Sequence, residues 1–273
     1  MATKKKAAPA KSGTARAKKA TTTSKPIGHG YGWMPDMPDQ RDFMYAAIRP
    51  APVTLPPSVD WRSQCPPIVD QGQLGSCTAN AIAGALGFLE VKARQPFVAL
   101  SRLFIYYNER VMEHTVQSDS GAMIRDGVKS VAKLGVCAEK KWPYVIAKFK
   151  VKPTPACYKD ALSHTISSYH RLATLDEMRA CLAGGYPFVF GFTVYESFES
   201  QEVAQTGVVP MPQQTEKVLG GHAVMAVGYN DAQQRIIVRN SWGTSWGQQG
   251  YFTLPYAYLT NHQLSSDFWT IQR

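Results

Sequence analysis

The run QGQLGSC, residues 71–77, ends on a cysteine that opens a stretch of helical spacing, with apolar residues at Ala79, Ile82, Ala83, Leu86 and Leu89. Ser76 is placed to cap that helix, which puts Cys77 in its first turn. A thiol there meets the positive end of the helix dipole and unpaired N–H groups, which favour thiolate and lower its pKa. Gly72 and Gly75 let backbone approach the sulfur, and the Gln71 amide is a donor of the kind an oxyanion hole uses. A thiolate nucleophile also needs an imidazole, and the imidazole needs a group to orient it. Of the six histidines, His222 stands out, because it follows Gly220-Gly221 and opens the apolar run AVMAVGY, at a strand end facing a cleft. Asn240 closes the apolar run RIIVR and is followed by Ser241 and Trp242. If the two strands pair as a hairpin, Asn240 and His222 become neighbours, with Trp242 shielding their hydrogen bond. Cys77 and His222 lie 145 positions apart, within the range known for cysteine nucleophiles whose partners come from far downstream.

The elements that must hold these groups fall into two halves. Helices are predicted from Ser76, after Ser101 in RLFIYYNERVMEH, over AMIRDGVKSVAKLG ending at Gly135, and from the capping-box pattern Thr174 to Glu177 up to Gly184-Gly185. Strands follow over 187–195, 222–230, 235–243, 250–256 and 268–273, with 230–235 as a hairpin connection. Helices first and strands afterwards predict an α+β chain of two lobes with a cleft between them.

The chain has 273 residues and a net charge of +10. Residues 1–25 carry seven Lys and one Arg and no acid, so the rest is close to neutral and has no basic footprint for nucleic acid. The tail lacks apolar periodicity and is expected to be disordered, binding nucleic acid weakly at most. No apolar run is long enough to span a membrane, and no standard secretory signal is present. None of the five cysteines forms a C-x-x-C, and no metal or cofactor is expected. A reducing, cytoplasmic setting is the expectation. Gly243 to Gly247 fits G-x-S-x-G, but that serine elbow needs a helix after it, and a glycine-rich loop and a strand follow instead.

Taken together, PSVDWRSQ (57–64), QGQLGSC, LSRLFIYY, SGAMIRDGVKSVAKLGVC, KKWPY, GGHAVMAVGY and RNSWGTSWGQQGYF resemble the papain-like (C1-type) cysteine peptidases, in their prokaryotic form without the usual disulfides and long propeptide. The resemblance covers about residues 57–273. It implies a papain-like two-lobe fold, with a helical lobe (about 57–165) and a β-barrel-like lobe (about 166–273). It also implies an endopeptidase acting on peptides or proteins, with Cys77 as nucleophile, His222 as its partner, Asn240 orienting His222, and Gln71 as oxyanion donor. The family's Gly-Gly substrate edge corresponds to Gly121-Ala122. Its selective pocket corresponds to Met123 or Ile124, Gly191 and Ala223, with Trp242 nearby, and implies an apolar side chain two positions before the cut. Leu74 stands where secreted members have a half-cystine, Thr78 where an aromatic is usual, and Asn108 near the position of the usual partner of Cys157. Residues 1–27 are then a tail, and residues 28–56 an extended segment that is either surface packing or a short autoinhibitory pro-segment covering the cleft. A thiol-dependent transferase or ligase and a non-catalytic binding module are the alternatives on the same fold.

Overall fold

The computed structural model describes residue 1, residues 28–48 and residues 54–273. The disorder expected of residues 2–27 and the part of the extended segment at 49–53 lie outside the described residues.

After a short strand, β1 (Ser58–Asp60), the chain forms α1 (Cys77–Lys92), α2 (Arg102–Met112), α3 (Ile124–Leu134) and α4 (Pro155–Ala161). Then come β2 (Ser168–Arg171), α5 (Leu175–Ala183), β3 (Phe188–Tyr195), α6 (Gln201–Thr206), β4 (Val218–Asn230), β5 (Arg235–Arg239), β6 (Tyr251–Pro255), α7 (Tyr256–Thr260) and β7 (Ser265–Gln272). The four predicted helices appear as α1, α2, α3 and α5, and the five predicted strands as β3 to β7. Sequence reading missed the short β1, β2, α4, α6 and α7, because fewer than two helical turns or at most four strand residues leave little periodicity to read.

The sheet is antiparallel, with β1 paired to β4 and the order β2-β7-β3-β4-β5-β6. The lobe is barrel-like only in curvature: the sheet is open, ending on β2 and β6. β4 is buried from His222 to Tyr229, which explains its continuous apolar text: one face meets α1, and the other meets a second core built from Phe188, Phe190, Phe192, Val238, Phe252 and their neighbours. The hairpin connection is as read, since Asn230 pairs with Arg235.

Two local expectations need correction. Ser76 precedes α1 but makes no side-chain cap; its hydroxyl bonds Tyr144 (2.5 Å) and accepts from Asn80 Nδ2 (3.0 Å). His222 is the fifth residue of β4, not its first, because β4 starts earlier, at Val218. Thr174 does cap α5, accepting from the Glu177 N–H (3.2 Å), and the Glu177 carboxylate reaches back to the N–H of Ala173 (2.8 Å).

Candidate active site

Cys77 is fully buried where α1 begins, and α1 packs against β4, which carries His222. The sulfur lies within hydrogen-bond reach of the N–H of Ala223, the residue after His222, and of the N–H of Gly32. His222 Nε2–H donates to Asn240 Oδ1 at 2.8 Å, and its Nδ1 is buried with no hydrogen-bond partner. Asn240 Oδ1 also accepts from the N–H of Ser241 (2.8 Å), which fixes the amide. Asn240 follows β5, the hairpin partner of β4, so strand pairing brings the two together as the sequence implied. Trp242 stacks on the His222 ring at 4.9 Å and covers that bond.

Gln71 is buried, and its Oε1 accepts from Ser241 Oγ (2.6 Å). Its Nε2 donates to the carbonyls of Leu74 and Gly30, both at 2.9 Å. The second of those carbonyls belongs to the N-terminal segment. So do most of the other partners found in the cleft. Ala122 N–H donates to Gly32 O (2.7 Å), and Met34 N–H to Ala122 O (3.1 Å), a parallel bridge centred on Trp33. The N–H groups of Gly32 and Trp33 donate to Gly221 O at 3.2 and 3.0 Å, and Gly30 N–H to Gly72 O at 3.2 Å. His29 stacks on the Trp242 face opposite this network at 4.6 Å, and the Tyr31 hydroxyl bonds Glu199. Residues 28–36 therefore lie along the cleft in an extended course, held by one parallel bridge at Trp33 and by separate hydrogen bonds. The segment is anchored to the body by Trp33, 7% exposed, and Tyr45, 1% exposed.

Trp33 fills the pocket read from the sequence. A Cβ on Gly191 would overlap its indole, and Trp33 shares one core with Ala122, Ile124, Val189 and Ala223. Gly121 sits at φ 76°, and a Cβ there would overlap Gly32, so the glycine is required twice over. The Met123 N–H donates to Glu113 Oε1 (2.7 Å), and Ile124 is buried at the start of α3. Sequence reading missed Asp267. Its Oδ2 accepts from Trp33 Nε1 and from the N–H of Asp36, both at 3.0 Å, and it is a non-glycine residue at φ 58°. The one available signal was an acid inside the apolar run that became β7.

The thiol expected to be acidic is instead pushed up to about 12 by burial, with Glu109 adding to the rise and the N–H groups of Ala223, Gly32 and Thr78 opposing it. A helix terminus is worth about 0.3–1 kcal/mol, too little to offset full desolvation of an anion. Burial likewise depresses His222 to about 4, against its hydrogen bond to Asn240, which raises it. Under its cover burial works against the charged form of both groups. Thr78, at the position that looked unusual, donates to Glu109 Oε2 (2.9 Å), a carboxyl raised well above its usual range by burial.

The imidazole carries a pH signature. Its folded pKa lies below 6.5, so its contribution to stability is complete above pH 6.5 and is lost as pH falls toward 4. Asp267, raised to about 7 by burial and by Asp36, works the other way, contributing most at low pH and losing that as pH rises from 3.8 through 7. Replacing His222 by Gln is expected to remove about 3 kcal/mol of stability loss between pH 6.5 and 4, read from urea midpoints against the unaltered chain. Equal acid sensitivity in the two proteins would refute the neutral buried imidazole.

Among the described residues, all five cysteines are free, and no group of His, Cys, Asp or Glu is arranged to hold a metal. Asn108, near the expected position of a partner for Cys157, accepts from the Tyr158 hydroxyl (3.0 Å). The serine of the 243–247 motif lies in turns between β5 and β6 with no helix after it.

A thiol at a helix start, an imidazole bonded to a side-chain amide and a buried glutamine six residues before the thiol are groups of the kind a cysteine hydrolase uses, here in a two-lobed α+β fold. The family described as papain family cysteine protease matches residues 55–267. The chain is 42% identical over 280 residues to an uncharacterized peptidase C1-like protein of Acanthamoeba polyphaga mimivirus, covering 90% of this chain and 88% of that one. It is 31% identical over 220 residues to a cathepsin B-like protein of Giardia intestinalis, covering 73% and 69%. Xylellain, a cysteine protease from Xylella fastidiosa, superposes with a TM-score of 0.84 at 45% identity, covering 92% of this chain and 99% of that structure. The chain belongs to the papain family of cysteine proteases, and it is a cysteine endopeptidase, a hydrolase.

Proposed function

We propose that Cys77, His222, Asn240 and Gln71 carry peptide-bond hydrolysis in this cleft, and that residues 28–48 hold it shut until they move or are cut. With the cleft open to water, Cys77 passes its proton to His222. The thiolate sulfur bonds to the scissile carbonyl carbon, while the charge on oxygen is met by Gln71 Nε2 and the N–H of Cys77. The imidazolium gives its proton to the departing amine as the C–N bond breaks. Water then attacks the thioester, its proton goes to His222, and the acid is released with the thiol restored.

The observation that carries the inhibitory reading is which atom of the segment meets which atom of the site. The sulfur faces an N–H, that of Gly32, and the carbonyl on Gln71 belongs to Gly30, two residues away. The oxygen on Gln71 Nε2 comes from Gly30 while Gly32 turns its N–H toward the sulfur, an arrangement that supports a segment blocking the site. The pocket that takes Trp33 supports a large apolar or aromatic side chain two positions before the cut. The names of the relatives favour a peptidase, and no observation in the cleft favours a transferase or a binding module.

Asn240→Ala tests the orienting role. In a chain whose cleft is open, it is expected to lower kcat by about tenfold to a hundredfold with KM little changed, part of the effect general acid–base catalysis supplies. An unchanged kcat would remove Asn240 from the machinery.

A further inference from the structure

The segment that covers the cleft is anchored beyond the Trp33 pocket by charge. Arg125, on α3, binds Asp36 through Nε (2.9 Å) and Nη2 (3.3 Å), Asp42 through Nη2 (2.9 Å), and the carbonyl of Met37 (2.8 Å). Arg171, at the end of β2, binds Asp36 (3.2 Å), Asp42 (3.0 Å) and Asp267 (3.2 Å). Asp39 lies 3.5 Å from Arg125. Side-chain exposure is 10% for Arg125 and 14% for Arg171, against 3% for Asp36 and 6% for Asp42. Both guanidinium groups also lie over Trp269, at 5.9 and 5.5 Å.

Three of the four carboxylates on this pair belong to the segment. Once it leaves, Asp267 is the body's one carboxylate bonded to either arginine, with Asp126 nearby and itself beside Lys129. Two guanidinium groups that the segment pairs and covers then share one direct partner and turn their remaining donors to the groove. They border the substrate groove: Asp267 joins the two places, bonding Trp33 on one side and Arg171 on the other.

On these grounds, and resting on the reading that the segment vacates the cleft, we propose that Arg125 and Arg171 form a carboxylate-binding subsite for substrates. It takes an Asp or Glu two to four residues N-terminal to the side chain in the Trp33 pocket. The segment occupies in cis what an acidic peptide occupies in trans. Planar, partly buried guanidinium groups suit a carboxylate and disfavour a lysine at the same place.

The test uses the full chain carrying Trp33→Ala and Asp36→Ala, which empties the pocket and part of the arginine pair. Internally quenched peptides with an aromatic residue two positions before the cut differ only in Glu, Gln or Lys at the three upstream positions. The Glu peptide is expected to show about tenfold higher kcat/KM than the Gln peptide, mostly through KM, and the Lys peptide the lowest. Adding Arg125→Gln or Arg171→Gln is expected to erase the difference, and Arg→Lys at either position to weaken it, should the Gln forms fail to fold. A Cys77→Ala version of the same chain reads binding of the peptides by fluorescence anisotropy, without turnover. Equal cleavage and equal binding of the Glu and Gln peptides overturn the subsite while leaving the peptidase assignment intact. Glu-dependent binding with no peptide cleaved supports the subsite and sinks the catalytic reading.

Discussion

Replacing Trp33 by alanine in the full chain is expected to speed alkylation of Cys77 by iodoacetamide at least about tenfold, and to raise turnover of a fluorogenic peptide alongside it. The indole is buried against Gly191 and hydrogen-bonded to Asp267. Truncating a buried tryptophan costs about 3–5 kcal/mol, and here much of that loss falls on the covered state alone, because the residue belongs to the cover. The thiol amplifies the change. At a pKa of about 12 it is almost wholly protonated at neutral pH, and return toward its ordinary value of 9 multiplies the reactive thiolate about a thousandfold. The gain levels off once most molecules are open, so tenfold is a lower bound. Gly191→Val supplies an independent check from the other side of the contact. It expels the indole and speeds labelling, but it does not raise peptide turnover to match, because the new side chain fills the same pocket. Labelling in Trp33→Ala no faster than in the unaltered chain would falsify the inhibitory role of residues 28–48.

Cys77→Ala is expected to lower peptide turnover by more than about a thousandfold when measured in the Trp33→Ala background, where the cleft is open. The loss is chemical. Removing one buried sulfur leaves a small void worth about 1 kcal/mol, so the protein remains folded and still binds peptides. A group acting as nucleophile is not replaced by its neighbours, and His222, Asn240 and Gln71 without the sulfur have no bond to make. The control is Ser245→Ala, in the serine motif at 243–247, which is expected to leave turnover unchanged because that loop presents no helix start and no imidazole. Retained turnover in Cys77→Ala would move the chemistry elsewhere.

That Cys77, His222 and Asn240 could be read as one set from the sequence reflects strong local signals beside each. Cys77 opens an Ala-Leu-rich helix, His222 lies on one apolar strand, and Asn240 follows the next, joined to it by a short connection. Antiparallel pairing of such strands fixes which residues face each other, and register leaves little freedom once one face is buried. Of the residues read as a pocket, Gly191 and Ala223 are small residues in β3 and β4, and Gly191 is where Trp33 packs. The Met123 N–H is bonded to Glu113, a contact with no local signal in the sequence. Asp267 and the arginine pair had no local signal: Arg125, Arg171 and Asp267 come from α3, β2 and β7, and only packing brings them into one group.

What the sequence determined by itself was the kind of chemistry and the two-part α+β layout, because helix and strand periods, caps and the types of the reacting residues are local properties. The tertiary structure decided the state of that chemistry. Burial under residues 28–48, an effect of the whole packed environment, turns the expected acidic thiol and basic imidazole into an un-ionised pair. The same packing lays an aperiodic stretch of Gly, Pro and aromatics across the cleft, pinned by the bridge at Trp33. Desolvation and long-range charge pairing depend on which surfaces meet in three dimensions, and no window of sequence contains that information.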